Sequence, residues 1–295
     1  MTAPLTRALL AALGGLIALL VSILIAPTPA SAQTAQAQAP ARLISTDAAV
    51  TEILFALGAG DQLVAMDVTS ELPPGRPELP RLGYHRALAA EGILALDPNL
   101  VIGSEHMGPA HTVDALQRSG VTVVKLPTAT SLQGLASNVD EIATALAINT
   151  DARPTLADLA PASKALGKQD KSGMRAAFLL NGEGGKLRLA GANTGGNAFL
   201  GLLGADNAAG FANYRSVSAE ALLELDPDLI LVADVEQAGI ESLLSQHTVL
   251  GYARAARNNQ VFAVDARTLV AGLSLGAVDE AARLLPLVNN GAGAQ

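Results

Sequence analysis

The chain reads as an α/β protein: two Rossmann-like lobes with parallel sheets, joined by a single long helix, with a ligand cleft between the lobes. Short apolar runs alternate with longer amphipathic ones beyond residue 40, the pattern of βαβ units. A sixteen-residue unit occurs twice, once in each half. A helix-like segment, 150–172, lies between the copies and separates lobes at 42–149 and 173–291.

The predicted strands are 41–45, 62–67, 99–103, 121–126, 175–181, 228–233 and 260–265. Runs such as LVIG, VTVVKL and LILVA are apolar on successive residues, as expected of strands covered on both faces. After the first strand, Ser45 or Thr46 can cap a helix that carries Val50, Ile53, Leu54 and Leu57 on one face and stops at Gly58. The repeated unit is LAAEGILALDPNLVIG (88–103) and VSAEALLELDPDLILV (217–232), identical at seven of sixteen positions. Each copy is a short helix, an Asp-Pro stop and a buried strand. Asp97, Asp226 and Asp228 therefore read as punctuation before strands rather than as paired catalytic acids. A spacing of 129 residues is too long for a solenoid and fits two similar lobes. In the joining segment Thr150 or Asp151 can cap, and Leu156, Leu159, Ser163 and Leu166 would line one side. Pro161 falls inside it, where proline kinks or splits a helix.

The first residues carry one positive charge, Arg7, then an apolar run from 8 to 26, two prolines and Ala30-Ser31-Ala32. That is a cleavable signal peptide over 1–32, cut after Ala32 and followed by a flexible linker at 33–41. The alternative is a retained anchor, which would make the chain a sensor ectodomain. With secretion, the chain is placed in the periplasm and is not membrane-embedded. There is no cysteine, so disulfides, thiolate metal sites and a lipidated N-terminal cysteine are excluded. A net charge of −8 with no basic block argues against a nucleic-acid partner.

Several motifs bear on chemistry. Gly272-Leu273-Ser274-Leu275-Gly276 matches G-x-S-x-G, but the last histidine is His247, so the downstream histidine of a secreted hydrolase is missing. His106 and His111 are spaced by five with Gly108-Pro109 between them, and read either as loop ligands or as exposed polar residues. The glycines of GEGG (182–185) and GANTGG (191–196) lack phosphate-loop spacing. RLGYHRAL (81–88) places Tyr84 after a turn glycine and before the first copy of the repeat, where βα loops face a cleft. It reads either as a loop tyrosine or as a ferric-iron ligand. A phenol titrates near pH 10 and needs a strong Lewis acid to take its proton, which ferric iron is, and tyrosinate does ligate haem iron.

LGYHRALAAEGILALDPNLVIGS (82–104) is similar to the GY-x-R-x-L-x-AEG signature of periplasmic haem-binding proteins of bacterial ABC importers, within the siderophore, haem and vitamin B12 group. The segments 44–70, 190–208 and 213–232 resemble the same group, from about residue 42 to about 285. The resemblance implies a non-enzymatic, monomeric carrier that delivers haem to an ABC permease. It implies Tyr84 as the axial iron ligand, Arg86 as its helper, and Glu91 and Glu220 as permease-docking acids. The loop LLNGEGG (179–185) lacks the second-ligand histidine of some relatives, so iron is expected five-coordinate unless His85, His106 or His111 substitutes. GLSLGA (272–277) stands where relatives carry an arginine, leaving Arg86, Lys186 and Arg188 as cations for the haem propionates. A ferric-siderophore or cobalamin carrier is the alternative within the group.

Overall fold

The computed structural model describes residues 42–166, 173–182, 185–234 and 239–292. The first sheet contains β1 Leu43–Ser45, β2 Leu63–Met66, β3 Leu100–Ser104 and β4 Thr122–Leu126, in the order β2-β1-β3-β4 and parallel throughout. Parallel neighbours need crossovers. Helices α1 Ala48–Ala56, α2 Ala90–Leu94 and α3 Ala110–Arg118 lie on them, and α4 Leu132–Ala145 follows β4. The cap of α1 is Asp47 rather than Ser45 or Thr46, its carboxylate accepting the Val50 N–H at 2.9 Å. Those two residues are occupied elsewhere. The Ser45 hydroxyl donates to the Asp47 carbonyl, and the Thr46 N–H to Ile102 O on β3.

The joining segment corrects the single-helix expectation. Its described part is a 3-10 turn, Thr150–Ala152, and two one-turn helices, α5 Leu156–Leu159 and α6 Ser163–Leu166. A reciprocal cap between Thr155 and Asp158 starts α5. Pro161 has no N–H to continue it, so the helix restarts after the proline. Leu156, Ser163 and Leu166 are buried, as the one-sided pattern predicts. Residues 167–172 lie outside the described residues.

The second lobe runs through β5 Arg175–Gly182, β6 Lys186–Ala190, α7 Gly195–Leu202, β7 Asp206–Asn207, β8 Tyr214–Ser216, α8 Ala219–Leu225 and β9 Leu229–Asp234. It ends with α9 Gly239–Gln246, α10 Arg254–Arg257, β10 Val261–Val264 and the long α11 Leu275–Ala292. Its sheet has the order β10-β9-β5-β6-β8, with β7 on β5. All the predicted strands are found within two residues of their ends, but β6, β7 and β8 were not anticipated. Two of their pairings, β5 with β6 and β6 with β8, are antiparallel, so this sheet is mixed rather than parallel. Too few residues separate β5 from β6 for a crossover, and only a hairpin can connect them.

One apolar cluster spans both lobes. It takes Leu43, Leu100 and Ile102 from the first sheet, Phe178, Leu229 and Leu231 from the second, and Val278 and Leu284 from α11, which also packs on α1. Each lobe has a further cluster of its own on the outer face of its sheet. The G-x-S-x-G segment completes the seam. Gly272, at φ +99, pairs with Ala129, and Leu273 N–H donates to Ala129 O at 2.8 Å. A side chain at 272 would lie within 2.6 Å of that oxygen. Gly276 N–H donates to Glu52 of α1 at 2.7 Å. Burial pushes the Glu52 carboxyl up from its ordinary range, while the Gly276 and Ser274 hydrogen bonds oppose the rise. Lobes that share so large an apolar interface move little relative to each other.

Candidate ligand-binding cleft

The loop carrying RLGYHRAL is tied at both ends. Leu82 N–H donates to Met66 O at the end of β2, and Gly108 N–H donates to His85 O. Between these ties Ala87 N–H closes a turn on Tyr84 O at 2.7 Å. The turn sends successive side chains opposite ways. Tyr84 is 46% exposed, whereas His85 is 0% exposed. Their rings still touch, with centroids 4.2 Å apart at a 48° tilt.

Beneath His85 lies a buried polar floor. Asp67 accepts from the Thr69 hydroxyl, from Ser70 N–H and from the Ser70 hydroxyl, and Thr51 links Ser70 to Ser45. His85 Nδ1 lies 3.5 Å from Asp67 Oδ2, but neither ring nitrogen has a hydrogen-bond partner among the described residues. Burial also raises the Asp47 carboxyl above its ordinary value.

Above the loop is a cleft of about 510 Å³, within the range of roughly 300–1,000 Å³ common for small-molecule sites. Val68, Glu71, Arg81 and Tyr84 line it from the first lobe, and Leu180, Tyr214, Asp265, Arg267 and Leu269 from the second. The wall is mixed: an apolar side, two phenols, and both signs of charge. Tyr214 accepts Gly196 N–H at 3.2 Å, and burial pushes its phenol up, so it is held protonated. Tyr84 is the phenol presented to the space.

The other sequence-predicted residues fall around this cleft rather than in it. His106 accepts or donates one hydrogen bond with the Thr128 hydroxyl at 3.2 Å, and burial, then nearby Arg86, holds its imidazole below its ordinary pKa. His111 is exposed in the first turn of α3, and Arg86 is exposed beside Tyr84. Lys186 and Arg188 are exposed on β6, with Arg188 5.6 Å over the Tyr214 ring. Glu91 and Glu220 are exposed in the first turns of α2 and α8. The cleft cations that line the wall, Arg81 and Arg267, were not singled out from sequence, because folding alone brings them there. Tyr214 had a visible signal: it precedes the second repeat much as Tyr84 precedes the first.

Ser274 has no nucleophile's position. It is 0% exposed, and its hydroxyl accepts Ala277 N–H at 3.1 Å at the start of α11. Two α/β lobes around one lined cleft, with the elbow-like serine used as a helix cap, define a binding protein. The chain belongs to the periplasmic binding protein family, whose model matches residues 43–268, and these are substrate-binding proteins of the ABC-importer type.

The chain is similar to the periplasmic haem-binding protein HutB of Vibrio cholerae, at 36% identity and TM-score 0.76 over 84% of this chain and 98% of that one. A periplasmic haem-binding protein from Pseudomonas aeruginosa matches at 35% identity and TM-score 0.72, covering 84% and 92%. A vitamin B12-binding protein of Vibrio campbellii is 32% identical over 101 residues, 34% of this chain. That match spans about a third of the curated relative's length, 36%. No described helix is long and apolar enough to cross a membrane.

Proposed function

We propose that the chain captures ferric haem in the interlobe cleft and hands it to an ABC permease, catalysing no reaction. The observation that carries this reading is the outward presentation of Tyr84 over a rigid buried floor, at the wall of a cleft of suitable size. A neutral phenol is a weak ligand, but ferric iron takes its proton, and Arg86 two residues on is the helper that the family signature implies. Apolar groups such as Val68, Leu180 and Leu269 would meet the porphyrin faces. Since His85 is sealed beneath the loop and neither His106 nor His111 lines the cleft, iron is five-coordinate through Tyr84. Lys186 and Arg188 lie outside the wall and have a weaker claim on the propionates than the cleft arginines. The likeness to HutB and to the Pseudomonas protein, both periplasmic haem-binding proteins, supports haem.

The remaining parts of the proposal follow the family. A signal peptide over 1–32 is removed after Ala32, 33–41 is a linker, and lobes 42–149 and 173–291 act as a monomer in the periplasm. Glu91 and Glu220 occupy the same place in the two repeats and dock on the permease.

Haemin titration of the mature chain, followed at the Soret band, tests the reading, with Tyr84→Ala alongside. Absence of a Soret change in the wild type overturns haem. Retained ligation in Tyr84→Ala removes the tyrosine from its role. Cyanocobalamin is titrated in parallel, because the B12-binding relatives make cobalamin the specific competitor. Glu91→Ala with Glu220→Ala is expected to keep haemin binding and lose uptake in cells. Normal uptake would reject the docking role.

A further inference from the structure

Arg267 is held from two directions. Its Nε and one terminal nitrogen donate to Asp265, at 2.9 and 2.6 Å, within its own 3-10 turn, Ala266–Leu269. Its other terminal nitrogen donates to Glu71, on the loop after β2 of the opposite lobe. All three residues line the cleft that holds Tyr84. The Asp265 pairing is local and bidentate, and it fixes the plane of the guanidinium. The Glu71 pairing crosses the cleft, and both side chains are well exposed, 62% for Glu71 and 44% for Arg267. An exposed pair of this kind is held weakly.

We propose that Glu71 and Arg267 form an interlobe latch that a carboxylate of the ligand opens by taking the place of Glu71 on Arg267. The geometry gives the two acids different tasks. Asp265 aims the arginine, and Glu71 occupies the nitrogen that the incoming carboxylate needs. Glu71 is therefore an internal competitor that holds Arg267 until a ligand carboxylate displaces it, and a ligand lacking a free acid leaves the pair in place. No bond is made or broken; one hydrogen-bonded carboxylate replaces another. The proposal rests on the haem reading only in its choice of probe, a porphyrin with two carboxylates.

The test compares haemin with its dimethyl ester in the wild type, Glu71→Gln, Arg267→Gln and the double variant. Glu71→Gln is expected to tighten haemin by up to about fivefold, the scale of an exposed ion pair, without a matching gain for the ester. Arg267→Gln is expected to reduce the preference for haemin over the ester by about tenfold, as for a lost charged hydrogen bond. In the Arg267→Gln background the gain from Glu71→Gln should vanish. A gain that persists there means simple charge repulsion by Glu71 and overturns the latch, as does an equal gain for the ester. If neither porphyrin binds the wild type, the haem reading falls and the ligand-free chain decides the latch. Spin labels on cysteines replacing exposed Arg118 and Tyr252, one in each lobe of a chain with no native cysteine, report the lobe separation. With the shared apolar core fixing its centre, Glu71→Gln should broaden that distribution, and an unchanged width overturns the latch.

Discussion

The two copies of the repeated unit, one per lobe, bury their side chains by the same rule. Leu100 and Ile102 of β3 face the shared core, and so do their counterparts Leu229 and Leu231 of β9. Val101 and Ile230 face outward, into the separate clusters of the first and second lobes. Ile93 and Leu222, matched in the helices, join those same outer clusters. Asp97 and Asp226 both adopt left-handed backbone, at φ 48 and 41, before their prolines. An arginine fastens each turn, but by different chemistry. Arg42 donates to the carbonyls of Leu96 and Asp97, whereas Arg254 pairs with the carboxylates of Asp226 and Asp228. The comparison teaches that burial parity is kept between the lobes while the polar fastenings are free to diverge.

The largest test of this parity is truncation of matched core residues. Ile102→Ala and Leu231→Ala should each cost about 3 kcal/mol, the middle of the range for buried aliphatic truncation. Because both side chains lie in the one cluster, each should shift a single unfolding transition in a urea melt. A two-step melt in which one lobe keeps its midpoint would break the comparison. Next comes the seam itself. Gly272→Ala combines a positive φ of +99 with a 2.6 Å approach to Ala129 O, and is expected to cost about 2 kcal/mol. Loss of less than about half that would show that the seam yields.

Smaller effects separate the fastenings. Arg42→Ala should cost about 1 kcal/mol, since three side-chain hydrogen bonds to backbone carbonyls are lost. Arg254→Ala should cost less, and its effect should fade in about 0.5 M salt, because its ion pairs are exposed and screened. An Arg254 effect that resists salt would refute the ion-pair account.

The smallest effect is in pH, and here the buried acids differ in sign from the acids that arginines fasten. In the first lobe Asp47 and Glu52 are raised by burial, so the folded state holds their protons more tightly than the unfolded state. Their contribution falls as pH rises from the ordinary carboxylate range through the raised values. In the second lobe, hydrogen bonds from Arg254 and Arg267 lower Asp226 and Asp265. Their contribution is present above the ordinary range and is lost as pH falls below it. The melting temperature should therefore rise slightly from neutral pH to about pH 5 and drop only in stronger acid. Glu52→Gln should flatten the first part, and an unchanged slope would reject burial of Glu52 as its cause.

Much of this was legible in the residues. The parallel strands announce themselves as continuous apolar runs, and the repeat aligns without gaps. Pro161 was readable as a break, although the segment it divides was expected to be one helix. β6 was missed although KLRLA alternates exposed and buried residues, because five residues between glycines also fit a loop. The loop identity of Tyr84 could be read, but its outward turn could not. That turn depends on Gly108 N–H reaching His85 O, a contact made only after folding. Arg267 was hidden for the same reason: its partner Glu71 lies 196 residues away in the chain.

The division of labour between Tyr84 and His85 has a consequence for redesign. The histidine ring, sealed at the floor, makes the packing contacts of that turn, and the tyrosine projects from it as a head group on a socket. What the cleft can grip is thereby uncoupled from what keeps the lobe folded. Under the proposed haem role, exchanging the head, for instance Tyr84→His, should change how iron is ligated while the chain melts where the parent does. Replacing His85 instead, for instance His85→Ala, would strike the socket and the fold with it.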